Sequence, residues 1–233
     1  MAKKKHTPPP PKKSNLTLVY AGLAVLVIAA LVIYSSSPAT ETPPEKLPTA
    51  GKYVKLDKPG TYEPGKVKIT EFLKFNCGHC YALNSQLPAL KKKYGDNLSI
   101  TYKPMLWRSV PQDQGFRKSI EAYIIANRSE KGGEMKDALF KAMFVDKKDL
   151  TSEIVLADIG RSVGLGEEFS AALKNGAAKD EAEANIRLAE SFQVDETPTI
   201  VINGNLKVTP SMTNEDTAAM TGNLDAIIGS LLS

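Results

Sequence analysis

The sequence predicts a mixed α/β domain that carries an inserted helical subdomain and is preceded by one N-terminal transmembrane helix. Three observations support this class: an uncharged apolar run near the N-terminus, strand-like alternation early and late in the chain, and a long stretch of helical spacing between the strands. Apolar residues make up 42% and charged residues 24% of the 233 residues, which is ordinary for a globular protein and excludes disorder of the whole chain.

Residues 16–34 form the apolar run, LTLVYAGLAVLVIAALVIY, and contain no charged residue. As a helix this segment would be about 28 Å long, close to the roughly 30 Å of a hydrocarbon core. Five lysines lie within residues 1–15 and the next basic residue is Lys46, so the positive-inside rule places the arm in the cytoplasm. We therefore predict a single-pass anchor that contacts lipid in the cytoplasmic (inner) membrane, with the following domain on the periplasmic or extracytoplasmic side.

A cleaved signal peptide is the alternative, with Ser37 and Ala39 as the small residues of its cleavage site. The apolar run exceeds the roughly 7 to 15 residues typical of such peptides, which favours a retained anchor. Residues 35–52 are rich in Pro, Ser and Thr and predict an extended linker, so the globular domain is assigned to 53–233. Subtracting the five lysines of the arm from 30 basic residues leaves 25, against 26 acidic residues, and this balance does not indicate a nucleic-acid partner.

Residues 66–75, KVKITEFLKF, alternate between apolar and polar positions and predict a strand. From Cys77 onward apolar residues recur every three or four positions until Gly95, which is expected to end a helix. Both cysteines therefore lie where a strand passes into a helix. Pro88 is expected to kink this helix near Asn84.

Residues 98–106 predict a second strand, and residues from about 112 to 192 predict the inserted helices, which glycines divide into separate pieces. Residues 197–208 predict a β-hairpin with its turn at Asn203 and Gly204, and an amphipathic helix is expected to close the chain.

Cys77 and Cys80 are the two cysteines of the chain, and Gly78 and His79 separate them. A thiol in the first turn of a helix is made more acidic by unpaired backbone N–H groups and the positive helix end, and a protonated His79 would strengthen this effect. Cys80 lies one turn further on, within reach of a mixed disulfide formed at Cys77. The spacing predicts a redox pair with Cys77 as nucleophile and Cys80 as resolving thiol.

Two other interpretations of the cysteines stay open. A zinc site needs about four ligands, and the only further histidine, His6, is predicted to lie across the membrane. Two inert buried thiols are also compatible with the spacing, although a CxxC at a strand-to-helix turn of an exported protein is typical of redox chemistry. We therefore predict no metal site and no cofactor.

Glu71 shares the apolar face of the first strand with Ile69 and Leu73, so its carboxyl group is predicted to be buried beneath the cysteines. Burial raises the pKa of a carboxyl group, and such an acid can take the proton of Cys80 and return it. The alternative is a bulge or a sheet edge that lets Glu71 reach water.

Thr197 and Pro198 stand at the start of the predicted hairpin. A cis bond between them would leave the backbone of Thr197 free to pair with an extended substrate. A purely structural explanation is also available, in which the proline only ends the preceding helix.

These segments resemble the DsbA-like thiol-disulfide oxidoreductases of the thioredoxin superfamily. EFLKFNCGHCYAL resembles the active-site segment of that family, including a buried Glu six residues before the first Cys, and VDETPTIVING resembles its cis-proline loop. The resemblance covers roughly 53–233 and implies a thioredoxin-like fold with an inserted helical domain. It further implies a redox-active Cys77–Cys80 disulfide that is exchanged with cysteines of exported proteins and restored by a quinone-linked membrane partner.

The chain departs from the best-known oxidases of this family at two positions. The active-site motif of those oxidases resembles Cys-Pro-His-Cys, and Gly78 stands at the position of its proline. Thr197 stands where they have valine before the cis-proline. Both residues are similar to those of isomerase or reductase relatives, so the direction of the reaction stays open, with oxidation favoured. A non-catalytic chaperone or metallochaperone on the same fold is the alternative from a different functional class.

Overall fold

The computed structural model describes residues 46–233. The predicted cytoplasmic arm, the predicted transmembrane helix and most of the predicted linker lie outside the described residues. Within 46–233, no helix has both the length and the apolar composition needed to cross a bilayer.

The described residues contain a five-stranded sheet of β1 (Val54–Lys55), β2 (Val67–Leu73), β3 (Leu98–Pro104), β4 (Thr199–Ile202) and β5 (Leu206–Val208). The strand order across the sheet is β1-β5-β4-β2-β3. Because β2 pairs in parallel with β3 and antiparallel with β4, it is held on both sides. The segment with both cysteines leaves the sheet from the end of this interior strand.

In the part of the chain that the structure describes, two α-helices follow β2, five form the insertion and one closes the chain. They are α1 (Gly78–Asn84), α2 (Leu87–Tyr94), α3 (Arg117–Arg128), α4 (Gly132–Phe144), α5 (Glu153–Ser162), α6 (Glu167–Lys174), α7 (Lys179–Ser191) and α8 (Thr217–Leu232). Apart from the short strand β1, which was not predicted, the elements occur in the predicted order, and the predicted mixed α/β class with a helical insertion is confirmed.

The buried apolar residues form two clusters. One contains Phe72 and Phe75, from the end of β2 and just beyond it, together with residues of α3 to α7. The other contains Val67 and Ile69 together with residues of α1, α2 and α8. Cys80 belongs to the first cluster, so its sulfur is packed towards the inserted helices.

The prediction of one kinked helix after Cys77 is wrong. α1 ends at Asn84, and α2 begins at Leu87 as a separate helix. Pro88 lies in the first turn of α2, where a missing N–H group leaves no intrahelical hydrogen bond unmade. The proline therefore starts a second helix and does not bend a continuous one.

The hairpin between β4 and β5 turns at the predicted residues. Asn203 and Gly204 have φ of 47° and 80°, a left-handed conformation that these two residue types tolerate best. The N–H of Asn205 donates to the carbonyl oxygen of Ile202 at 3.2 Å and closes the turn. The predicted hairpin is confirmed.

The end of the predicted linker contacts α8. The backbone N–H of Lys52 donates to Oδ1 of Asn223 at 2.6 Å, and Nδ2 of Asn223 donates to the Lys52 carbonyl at 2.8 Å. The folded unit therefore includes the last residues of the segment that the composition assigns to the linker.

Candidate active site

Cys77 follows β2 and caps the N-terminus of α1. Its backbone is extended, with φ of −101° and ψ of 121°, and its sulfur accepts the backbone N–H of Cys80 at 3.2 Å. The Cys77 thiol also donates to the carbonyl oxygen of Thr197 at 3.2 Å. Both thiols are free, so the structure shows the dithiol form of the pair.

The two thiols differ in acidity. The hydrogen bond with the Cys80 thiol is the main cause that lowers the pKa of Cys77 to about 6. The side chain of Thr197 and the backbone N–H groups of Cys80 and His79 lower it further. Burial raises the pKa of Cys80 well above its ordinary value, and Cys77 adds to this rise. At neutral pH Cys77 is therefore mainly a thiolate and Cys80 a protonated thiol, which suits a nucleophile at 77 and a resolving thiol at 80.

The imidazole of His79 lies at the surface, with Nε2 3.6 Å from Oε2 of Glu215. After the Cys80 thiol and Thr197, the backbone N–H of His79 is among the groups that lower the pKa of Cys77. The main chain of His79 thus contributes to the acidity of Cys77, and the predicted effect of its side-chain charge stays a prediction.

Glu71 lies on interior strand β2, opposite Tyr102 of β3 and Ile200 of β4 in the sheet register. Only 1% of its surface is exposed, so the predicted burial is confirmed. Burial raises the pKa of Glu71 to about 8, against an opposing effect of Lys136. The carboxyl group is therefore mostly protonated at neutral pH, and its charge when ionised is felt at Cys80. A protonated acid close to a thiol that must change its protonation state can exchange that proton.

Lys136 of α4 is a buried charge that the sequence reasoning missed. Its Nζ donates to Oδ1 of Asn84 and, at 3.0 Å, to Oδ1 of Asp137, and it lies 4.5 Å from the centroid of the Tyr102 ring. A buried ammonium group needs such partners because its desolvation is costly. Helical spacing places Lys136 on the same face as the buried Leu139 and Phe140, and a charged residue at such a position is the signal that could have found it.

We expect Lys136→Met to slow proton transfer at the buried acid. Burial raises the pKa of Glu71, and the charge of Lys136 opposes this rise. Loss of the ammonium group therefore raises the pKa further, so that less Glu71 carboxylate is present at pH 7 to accept the Cys80 proton. The rate of attack by Cys80 on a mixed disulfide at Cys77 should fall by up to about ten-fold. The measurement is the rate of that step from pH 6 to 10, where the rise in rate should move to higher pH.

Lys141→Met provides the matched control for this variant. Lys141 lies on the same helix but is exposed and paired with Asp146, at 2.7 Å. Its replacement should leave the pH profile where it is. A Lys136→Met profile that coincides with that of the unaltered chain would contradict the assigned effect on Glu71.

The peptide bond between Thr197 and Pro198 is cis. Just before it, Oε1 and Oε2 of Glu196 accept hydrogen bonds from the hydroxyl and the backbone N–H of Ser211, at 2.7 and 3.1 Å. The fold brings the carbonyl of Thr197 to the sulfur of Cys77, although 120 residues separate the two in sequence. Pairing between the Thr197 backbone and a substrate stays a prediction.

Gly78 is the first residue of α1, and an added Cβ atom would have no neighbour within 4 Å. Proline is favoured at this helical position, and the extended backbone of Cys77 is compatible with a following proline. We expect Gly78→Pro to stabilise the dithiol form by about 0.5 to 1 kcal/mol, because it restricts the unfolded chain. Urea unfolding measures this change, Gly78→Ala is the control, and a net destabilisation by proline would contradict the expectation.

Comparison with known proteins places this geometry in a family. Residues 68–222, more than half of the chain, match the family described as DSBA-like thioredoxin domain. The chain is 28% identical over 173 residues to the thiol:disulfide interchange protein DsbA of Burkholderia cepacia, which covers 72% of this chain and 78% of that protein. It is 27% identical over 159 residues to the thiol:disulfide interchange protein DsbA of Pseudomonas aeruginosa, and the match covers 67% of this chain and 73% of that protein.

Solved structures are similar in fold. The crystal structure of Pseudomonas aeruginosa DsbA has a TM-score of 0.63 at 22% identity and covers 77% of this chain and 91% of that chain. The structure of the oxidoreductase NmDsbA1 from N. meningitidis has a TM-score of 0.59 at 23% identity and covers 78% of this chain and 92% of that chain. The sheet with its helical insertion is thus shared with these proteins, and the match over residues 68–222 shows that the chain belongs to the family of DSBA-like thioredoxin domains.

Proposed function

We propose that the chain is an extracytoplasmic thiol-disulfide oxidoreductase that forms disulfide bonds in exported proteins through Cys77 and Cys80. The observation that carries the proposal is the contrast between the two thiols, one acidic and partly accessible, the other buried and protonated. Similarity to thiol:disulfide interchange proteins supports the same reaction class.

In the oxidising direction the reaction starts from the Cys77–Cys80 disulfide. A substrate thiolate attacks the sulfur of Cys77, the Cys77–Cys80 bond breaks, and Cys80 leaves as a thiolate that takes the proton of neutral Glu71. A second substrate thiolate then attacks the substrate sulfur of the mixed disulfide and releases Cys77 as a thiolate. The substrate gains a disulfide, and its two electrons remain in the dithiol pair.

The acidity of Cys77 favours this direction. Stabilisation of its thiolate stabilises the dithiol form, and this makes the corresponding disulfide a stronger oxidant. Redox titration of the full chain against glutathione tests the direction. A potential between about −120 and −180 mV supports oxidation or isomerisation, whereas one near −270 mV would assign the chain to reduction.

The location of the reaction rests on residues 1–34. The uncharged run at 16–34 and the lysines before it support a cytoplasmic-membrane anchor with the catalytic domain on the periplasmic or extracytoplasmic side, where disulfides persist. Exported proteins with cysteines are then the substrates, and a quinone-linked membrane protein would reoxidise the pair. Carbonate extraction of membranes tests the anchoring. Protease treatment of intact spheroplasts, as a separate experiment, tests the orientation.

Isomerisation or reduction is the second candidate, and Gly78 and Thr197 are the residues that favour it. A non-catalytic chaperone or metallochaperone is distinguished by alkylation. The proposed enzyme has one rapidly alkylated thiol of low pKa and loses its activity in Cys77→Ser. A binding module would keep its function in that variant.

A further inference from the structure

Asp113 is a buried carboxylate that binds the chain segment just before the thiol pair and the segment that follows β3. Its side chain is only 4% exposed, and Oδ2 lies 2.6 Å from Nζ of Lys74, whose side chain is 13% exposed. Oδ1 accepts Nδ2 of Asn76 at 3.2 Å, and Oδ2 also accepts the backbone N–H of Trp107 at 3.1 Å. One carboxylate thus holds the residues just before Cys77 and the loop that follows β3.

Lys74 connects this cluster to both cysteines through its backbone. Its carbonyl oxygen accepts the N–H of Cys77 at 3.1 Å. Burial is the main cause that raises the pKa of Cys80, and a hydrogen bond from the backbone of Lys74 opposes that rise. The position of the Lys74 main chain therefore matters for the sulfur that must carry a negative charge during exchange.

The ion pair is poorly explained as a source of stability. Burying Lys74 and Asp113 costs desolvation energy that a buried pair often only offsets, and an apolar pair of similar volume is frequently as stable. An apolar pair has no directional contacts. The three donors on the Asp113 carboxylate, by contrast, fix the turn from Lys74 to Asn76 relative to Trp107.

We infer that Asp113 is a positioning residue for the thiol chemistry, which holds the Lys74–Asn76 turn so that the Lys74 carbonyl keeps the Cys77 backbone, and the Lys74 backbone the Cys80 thiolate, in the orientation that exchange requires. The inference rests on the proposed function. In the reaction concerned, the Cys80 thiolate attacks the Cys77 sulfur of a mixed disulfide, the Cys77–Cys80 bond forms, and the partner leaves as a thiolate that is protonated by solvent.

The test uses the full chain with glutathione as the partner. The dithiol form is reacted with glutathione disulfide, and the decay of the Cys77–glutathione mixed disulfide is followed by mass spectrometry from pH 6 to 10. We expect Asp113→Asn to slow the decay about ten-fold at pH 7 and to move the rise in rate to higher pH. The reason is that a displaced Lys74 backbone no longer hydrogen-bonds to the Cys80 thiolate. Asp146→Asn, which removes the exposed pair with Lys141, is the control and should change neither quantity.

A second variant keeps the inference testable if Asp113→Asn does not fold because Lys74 is left buried without its partner. Lys74→Met/Asp113→Leu removes both charges together, and its decay should also be slow and shifted in pH. Decay of the double variant at the original rate and pH would overturn the inference and leave the proposed function intact. Absence of decay in the unaltered chain would overturn both, because Cys80 would then not resolve mixed disulfides at all.

Discussion

With glutathione disulfide as the oxidant, Cys77→Ser is expected to reduce oxidation of a dithiol peptide to the uncatalysed rate, whereas Cys80→Ser is expected to accumulate a Cys77–glutathione mixed disulfide, with one glutathione leaving as the thiol. Cys77 carries the thiolate because its neighbour's thiol and nearby N–H groups lower its pKa to about 6, and no other described residue offers a sulfur nucleophile besides buried Cys80. The measurement is the fluorescence change of a peptide with two cysteines, combined with mass analysis of the quenched reaction.

The two serine variants control for each other. Both remove one sulfur, but only the variant that retains Cys77 should be labelled by glutathione disulfide at neutral pH. Equal labelling of the two variants, or appreciable turnover by Cys77→Ser, would contradict the division of roles between a nucleophile and a buried resolving thiol.

Glu71→Gln is expected to stabilise the dithiol form at neutral pH by roughly 3 kcal/mol. Burial raises the pKa of Glu71 to about 8 in the folded chain, whereas an unfolded glutamate ionises near pH 4.3. Between these values the unfolded chain binds fewer protons, so the contribution of Glu71 to stability is fully present below about pH 4.3 and is lost as the pH rises towards 8. Glutamine does not ionise and removes this loss.

Urea unfolding of the dithiol form from pH 4 to 9 measures this difference. The two proteins should be equally stable near pH 4 and diverge as the pH rises. Hydrogen bonding to the Cys80 thiol lowers the pKa of Cys77, and the resulting stability, lost as the pH falls through about 6, is present in both proteins. A difference that does not depend on pH would contradict a neutral buried Glu71.

Although Glu71→Gln is expected to stabilise the folded dithiol form, it is also expected to slow thiol-disulfide exchange. Glutamine cannot donate a proton to departing Cys80 or take it back, so substrate attack on the oxidised pair should slow by about one hundred-fold at pH 7. Glu121→Gln is the matched control, because Glu121 is a second buried glutamate, on α3, that pairs with Lys118. An unchanged rate in Glu71→Gln would exclude the acid from the reaction.

Local patterns in the sequence were sufficient for much of this description. Alternation along 66–75 placed Glu71 among buried residues, because successive side chains of a strand point to opposite faces. The Asn203-Gly204 turn followed from the left-handed conformations that a tight hairpin requires. The wrong helix prediction at Pro88 arose because a helix-compatible apolar spacing continues across the junction between α1 and α2, and spacing does not show where the backbone is interrupted.

The redox pair, its strand-to-helix setting and the acid six residues upstream were all readable from neighbouring residues in the sequence, because their geometry is local. Lys136 and Asp113 were not, and neither was the contact of Thr197 with Cys77. These groups come from an inserted helix, the segment after β3 and a turn 120 residues away. In the folded chain Thr197 contacts Cys77, Asp113 contacts the residues just before it, and Lys136 acts on the pKa of Glu71. The chemical groups are therefore encoded locally, whereas their acidity and orientation depend on which distant residues bury and hydrogen-bond them.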